Sequence, residues 1–237
     1  AVPSAGGVDR RFRPGRYIES DYPPLRRSPF IRDMERITSS RAYRITYIGV
    51  PLVVAGLVVQ ERDHGFRHLR NDYVPSFRFR YDDYLQYAPA ALMLGLKIGG
   101  VRGRSSWGRM LVSDAFSVAL MAGAVNSLKY TCRMPRPDGS NNKSFPSGHT
   151  ATAFMAATML HKEYGGRSPW YSIAGYSMAT VTGVSRMLNN KHWLSDVLVG
   201  AGIGILSVEL GYLFADLIFK DKGLTEFEQD FFYDRYC

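Results

Sequence analysis

The sequence predicts an all-α polytopic membrane protein, a bundle of six transmembrane helices, from three observations. Six stretches are depleted of charge over roughly the 17–25 residues that cross a bilayer: Tyr43 to Gln60, Tyr84 to Gly100, Met110 to Leu128, His149 to Leu160, Pro169 to Leu188 and Trp193 to Phe219. Strongly polar connectors separate them, so the mean hydropathy is only −0.17 and the average composition, 46% hydrophobic and 22% charged, imitates a soluble chain. Small residues stand where helices in lipid must touch: Gly200 and Gly204 form a Gly-x-x-x-Gly pair, with Ala201, Gly202 and Gly211 nearby.

Residues 1–42 carry nine arginines and several prolines without a spanning run, and read as a basic cytoplasmic or interfacial arm. Within the arm, Pro29 to Ser39 has the spacing of a short amphipathic helix, Ile31, Met34 and Ile37 on one side and Arg32 and Arg36 on the other; the competing reading is a solvated basic tail. Residues 43–220 form the six-helix membrane domain and 221–237 a cytoplasmic tail. The fourth stretch is short, and Lys97, Asp114, Glu209 and Asp216 interrupt others. A soluble bundle is the alternative, opposed by the length and apolarity of the first, third and sixth runs. Glu209 and Asp216 are expected to face the bundle interior or the interface, because an ion facing lipid is costly.

The net charge of +9 and pI of about 9.6 admit a nucleic-acid partner, yet the cations neither line one helix nor accompany a nucleic-acid motif. A membrane surface and an anionic headgroup fit better. With the amino terminus inside, about 18 Lys and Arg lie inside and about 11 outside, a moderate positive-inside bias. Cys132 and Cys237 then fall on opposite sides, so neither a disulfide framework nor a Cys-rich metal site is expected. No cleavable secretory signal is read from Ala1 onward. The sequence specifies no protein partner.

Three short blocks carry the chemistry. Lys129 ends the third run, and Pro135 and Pro137 flank Arg136 beyond it, where proline removes a donor and stops a helix. Lysine supplies a compact charge and arginine a planar fork for two phosphate oxygens, although basic residues beside a span are commonly interfacial snorkellers. Pro146-Ser147-Gly148-His149 opens the fourth run, where glycine admits backbone N–H groups to a ligand and a helix start adds roughly half a positive charge. A plain N-cap at Ser147 explains the serine but not a histidine among so many cations. Ser185 and Arg186 precede His192 and Asp196, whose spacing of four places them on one helical face, so that the carboxylate accepts from one ring nitrogen and leaves the other nucleophilic. Alone, such a pair reads equally well as a buried structural hydrogen bond. A metal site made from His149, His192 and Asp196 fails on charge, since Lys129, Arg136 and Arg186 would repel a divalent cation.

Read together as Lys-x6-Arg-Pro, Pro-Ser-Gly-His and Ser-Arg-x5-His-x3-Asp, the blocks resemble the signature of the type 2 phosphatidic acid phosphatase (PAP2) superfamily, with every specified position filled between Lys129 and Asp196. The resemblance implies a metal-independent phosphatase with no cofactor that works through a phosphohistidine. By position it makes His192 the nucleophile, Asp196 its orienting group and His149 the general acid, then the base that activates water. Lys129, Arg136, Arg186, Ser147 and the Gly148 backbone would hold the phosphoryl oxygens, with Pro137, Pro146 and Ser185 supporting the pocket.

A site at the lip of a bundle suits an amphiphile with its phosphate at headgroup level. The family allows lipid A phosphate, undecaprenyl diphosphate, phosphatidylglycerol phosphate and phosphatidic acid; a bacterial inner-membrane enzyme with an extracytoplasmic site is the expectation. The connector from Glu61 to Asp82, with Arg62, Arg67, Arg70, Arg78 and Arg80 among Phe66, Tyr73, Phe77 and Phe79, reads either as a grip on a large headgroup or as a solvated loop with interfacial aromatics. Asn142-Lys143-Ser144 matches a glycosylation sequon, but a glycan there would block the site. Two other classes stay open: a vanadium haloperoxidase-like enzyme, whose relatives are soluble and larger, and a non-catalytic lipid-phosphate carrier, which would not require both histidines.

Overall fold

The structure, a computed structural model, describes residues 29–220 and 222–224. The expected arm before residue 29, and all of the expected tail except 222–224, lie outside the described residues, as does Cys237. The chain divides into two units, 1–39 and 40–237. In the first, the predicted amphipathic helix is present as α1 (Pro29–Ser39), with Phe30, Ile31, Met34 and Ile37 exposed.

Among its described residues the regular elements of the second unit are all helices, joined by loops, and the sole β pairing is one isolated antiparallel bridge, Ser105 to Leu224. It comprises α2 (Arg41–Thr46), α3 (Gly49–Val59), α4 (Asp63–Tyr73), α5 (Asp82–Leu85), α6 (Ala88–Ile98), α7 (Trp107–Cys132), α8 (Gly148–Tyr164), α9 (Pro169–Leu188) and α10 (Leu194–Phe219). All six apolar stretches are helical, but only α7 and α10 are both long and apolar enough to cross a membrane; α3 and α6 are apolar helices of 11 residues each. Prolines explain the shortening. Pro51 and Pro89 lack the N–H that would bond four residues back and crowd the carbonyls of Tyr47 and Leu85, and the helical path is interrupted at Tyr47–Ile48 and Gln86–Tyr87. The expected 18-residue first run is therefore divided between α2 and α3, and the second between α5 and α6.

Helix α10 is apolar on all sides, the pattern of a helix with neighbours all round, and it packs against α3, α7 and α8. Its glycines bring backbones together. A Cβ at Gly200 would lie 2.6 Å from the Ser147 carbonyl oxygen, one at Gly204 would collide with the Ala151 carbonyl, and one at Gly202 would lie 2.6 Å from the Gly49 carbonyl on the opposite flank. The Gly-x-x-x-Gly pair is thus the seam with α8, and Gly202 the seam with α3. Gly200→Ala is expected to cost about 1–3 kcal/mol by overpacking, read as a lower unfolding temperature in detergent, with lost activity because the displaced carbonyl belongs to Ser147.

Glu209 and Asp216, expected to face the interior or the interface, are both held in ion pairs. Glu209 pairs with Lys162 at 2.7 Å, and Asp216 pairs with Arg109 and with Arg104 at 3.3 Å. Arg109 is buried and also donates to the Lys220 and Lys222 carbonyls at 2.6 and 2.9 Å, closing the carboxyl end of α10.

Up-and-down connectivity gathers the carboxyl ends of α7 and α9 with the amino ends of α8 and α10. The joints are explicit. The Ser147 N–H donates to the Asp196 carbonyl at 3.0 Å, and the Trp193 indole donates to the Pro135 carbonyl at 2.9 Å. All three sequence blocks therefore lie at one end of the bundle.

Candidate active site

The site is organised around the start of α10. Asp196, fully buried, is its third residue and accepts from the Trp193 backbone N–H at 2.9 Å, as an acidic residue in a first turn should. The same oxygen, Oδ2, accepts from the Ser144 hydroxyl and faces His192 Nδ1 at 3.3 Å. An ionised carboxylate only accepts, so it fixes the proton on Nδ1 and leaves Nε2 with its lone pair. His192 is itself 3% exposed, and burial pulls its imidazole down to about 4, against the opposing pull of Asp196 and with help from Lys129 and Arg186. Burial thus favours the neutral form of the ring.

The folded value lies below the ordinary one near 6.5, so the unfolded chain binds the extra proton between about pH 4 and 6.5 and stability falls as pH drops through that window. Thermal unfolding of wild type compared with His192→Gln should show this. The wild type should lose more stability than the variant between pH 7 and pH 5.

His149, second residue of α8, presents Nε2 to Asp83 Oδ1 at 2.8 Å. Arg186, 8% exposed near the end of α9, donates through Nη1 to Asp82 Oδ2 at 3.0 Å and stands 3.5 Å from Asp83 Oδ1. Arg136 is half-buried in the loop beyond α7, and burial together with the nearby Arg186 guanidinium holds it below its usual range. Lys129 reaches the Lys143 carbonyl at 3.2 Å, and a Cβ at Gly148 would come within 3.8 Å of Lys129 Cε. Buried guanidinium Nε atoms of Arg136 and Arg186 have no protein acceptor, leaving donors available to an anion. Ser147 is fully buried as the α8 cap, its hydroxyl 2.9 Å from that of Thr150. Pro137, Pro146 and Ser185 are buried beneath the cluster.

The structure therefore brings the lysine, both arginines, both histidines and Asp196 to one end of the bundle. Sequence reasoning missed the acidic partners that hold them. Asp82 and Asp83 grip Arg186 and His149, Ser144 shares Asp196, and Asp63 of α4 receives the Ser195 N–H at 3.1 Å and its hydroxyl at the start of α10. Asn189 ties the connector down, accepting from the Phe79 N–H at 2.8 Å and donating to the Phe79 carbonyl at 2.6 Å. Arg70 bonds the Leu188 carbonyl at 2.8 Å, and Arg67 lies over the Trp193 ring. The connector is strapped to the site, while Arg78 and Arg80 are exposed. The available signal was the Asp82-Asp83 pair, the nearest acidic residues to a surplus of cations.

The model of the PAP2 superfamily matches residues 111–219, from within α7 to the end of α10, the span that carries Lys129, Arg136, Ser144, Ser147, His149, Arg186, His192 and Asp196 but none of the residues before α6 that contact them. Residues 111–219 are a PAP2 superfamily domain. A lipid A 1-phosphatase of Porphyromonas gingivalis is 53% identical over 173 residues, 73% of this chain; the chain spans 39% of the length of that protein. Among solved structures, the crystal structure of Aquifex aeolicus LpxE is 25% identical with a TM-score of 0.48, over 62% of this chain and 92% of that one. The first transmembrane PAP2-type phosphatidylglycerolphosphate phosphatase from Bacillus subtilis is 19% identical with a TM-score of 0.44, over 74% of this chain and all of that one. In this PAP2 domain, Lys129, Arg136, Arg186 and both histidines occupy helix ends and the loops that join them, and Asp82 and Asp83 come from the segment before it.

Proposed function

We propose that the chain is a membrane-integral lipid phosphate phosphatase acting through a phosphohistidine, and that its substrate is lipid A bearing a 1-phosphate. The observation that carries the reaction is the buried His192, its Nδ1 facing Asp196 at 3.3 Å, at the same end of the bundle as Lys129, Arg136 and Arg186. The 53% identity to a lipid A 1-phosphatase supports the substrate.

The three cations and the start of α8 hold the phosphoryl oxygens as charge develops on them. His192 Nε2 attacks phosphorus, the bond from phosphorus to the sugar oxygen breaks, and His149 gives that oxygen a proton. Asp196 stabilises the phosphoimidazolium by accepting the Nδ1 proton's hydrogen bond. His149, now neutral, takes a proton from water, whose oxygen displaces His192 and releases inorganic phosphate. Asp83 keeps the His149 ring in place between turnovers. No step calls for a metal or cofactor.

Insertion in the membrane is part of the same reading. Val54 and Val58 of α3, Leu111 and Val118 of α7, Ile173 and Val181 of α9 and Leu217 and Ile218 of α10 are all exposed, while Ser113, Ser117 and Asp196 lie inside. Apolar residues outside and polar ones within suit lipid rather than water. Helices α3 and α6 to α10 then form the six-helix membrane domain, in a bacterial inner membrane, with the site facing the periplasm.

The test is phosphate released in mixed micelles from lipid A, phosphatidylglycerol phosphate, phosphatidic acid and undecaprenyl diphosphate, with His192→Ala as blank. Lipid A should be the best substrate. Release from another lipid with lipid A inert would overturn the substrate; release by the blank would overturn the mechanism.

A further inference from the structure

At the other end of the bundle from the catalytic cluster lies a cavity of about 920 Å³ that the reaction does not use. It is bounded by the loop from Gly100 to Ser106, the start of α7, the end of α8 and Leu224. Twenty-two residues of α7 separate Trp107 at this cavity from Lys129 at the catalytic end, roughly 33 Å at the helical rise.

The loop is built rather than draped. The Glu163 carbonyl accepts the Arg104 N–H at 2.9 Å, and Glu163 Oε2 accepts the Ser105 N–H at 3.0 Å. Tyr164 donates to the Val101 carbonyl at 3.2 Å, Arg167 Nη1 donates to the Arg102 carbonyl at 2.6 Å, and Lys97 donates to the Ser105 carbonyl. Gly103 lies so close that a Cβ there would stand 2.9 Å from the Glu163 carboxylate.

What the loop presents is positive. Lys97, Arg102, Arg104 and Arg167 line the cavity against the single carboxylate of Glu163. Glu163 is 2% exposed and already committed, one oxygen to Ser105 and the other to the Tyr212 hydroxyl at 3.1 Å. Arg104 is engaged with Asp216, but Arg102 is exposed, and Lys97 and Arg167 keep donors beyond the loop bonds named above. The amino end of α7, whose Ser106 side chain makes no cap, adds partial positive charge. Ser105 is 1% exposed and its buried hydroxyl has no partner. A polar group buried without a partner costs stability, so its retention at a cationic wall marks a missing ligand.

We propose that this cavity binds the phosphate-bearing headgroup of an acidic phospholipid, at the membrane face opposite the catalytic cluster. The cations hold the phosphate oxygens, the Ser105 hydroxyl gives the remaining hydrogen bond, and Trp107 stands at headgroup depth, 46% exposed with Lys97 Nζ 5.8 Å from its ring centroid. Assignment to a lipid, rather than to a free anion, rests on the membrane reading above.

The experiment is native mass spectrometry of the full chain in detergent with phosphatidylglycerol, phosphatidylcholine or inorganic phosphate as the probe. Phosphatidylglycerol should be retained in preference to phosphatidylcholine, with occupancy falling at least about fivefold in Arg102→Glu and about threefold in Ser105→Ala. Arg136→Ala, at the far end, should leave it unchanged, and Arg102→Glu should release phosphate from substrate at the wild-type rate. Retention of inorganic phosphate alone, sensitive to Arg102→Glu, would overturn the lipid as ligand. Equal occupancy in wild type and Arg102→Glu for every probe would overturn the site. These readouts do not need turnover, so they stand apart from the outcome of the lipid panel.

Discussion

His192→Ala is expected to lower phosphate release by at least ~10⁴-fold, because the nucleophile and the covalent step vanish together. The protein should remain folded. Removing a buried neutral imidazole leaves a small void beside Asp196, whose Oδ2 keeps its bonds from Ser144 and the Trp193 N–H. Brief incubation of wild type with labelled substrate, followed by alkaline quench, should trap acid-labile phosphate on His192. Asp196→Asn should follow closely, down about 10³–10⁴-fold, since an amide no longer secures the Nδ1 tautomer. A wild-type burst of product in the alanine variant would take His192 out of the nucleophile role.

Arg186→Ala is the second large effect, and it acts on two properties at once. Loss of a guanidinium at the phosphoryl oxygens should cost about 10²–10³-fold in kcat/KM. It also strands Asp82, 1% exposed, whose named partners are Arg186 at 3.0 Å and Asn189 at 3.1 Å. Breaking a buried pair by removing one partner costs about 3–5 kcal/mol. The double variant Arg186→Ala/Asp82→Asn separates the two: the unfolding temperature should largely recover while turnover stays low. Recovery of both would make Arg186 a scaffold residue only.

The helical class, the six apolar segments and the three blocks were legible because each depends on local pattern: long apolar runs, proline stops and the i, i+4 spacing of His192 and Asp196. The lengths of α3 and α6 were less so. Pro51 and Pro89 were visible, but the displaced carbonyls of Tyr47 and Leu85 matter only once a helix is built through them. The acids were hidden for a different reason. Asp82 reaches Arg186 across 104 positions and Asp63 reaches Ser195 across 132, and no periodicity links residues so far apart. Ser147 shows the converse: both readings of that residue were available from the sequence, and its hydroxyl serves the helix cap.

The contact of Gly200 with the Ser147 carbonyl has a further consequence for how such a catalyst can change. Both imidazoles ride on main chain, one just after Ser147 and the other just before α10, and the two strands of main chain meet where a side chain is forbidden. The spacing of His149 and His192 is therefore insulated from drift on the outward flanks, where substitutions should leave the proposed reaction unchanged. New selectivity in the proposed reaction would enter through the connectors, and a chimera exchanging only residues 71–81, with Asp63, Arg67, Arg70 and Asp82 kept, should alter which headgroup is taken while leaving the chemical step intact.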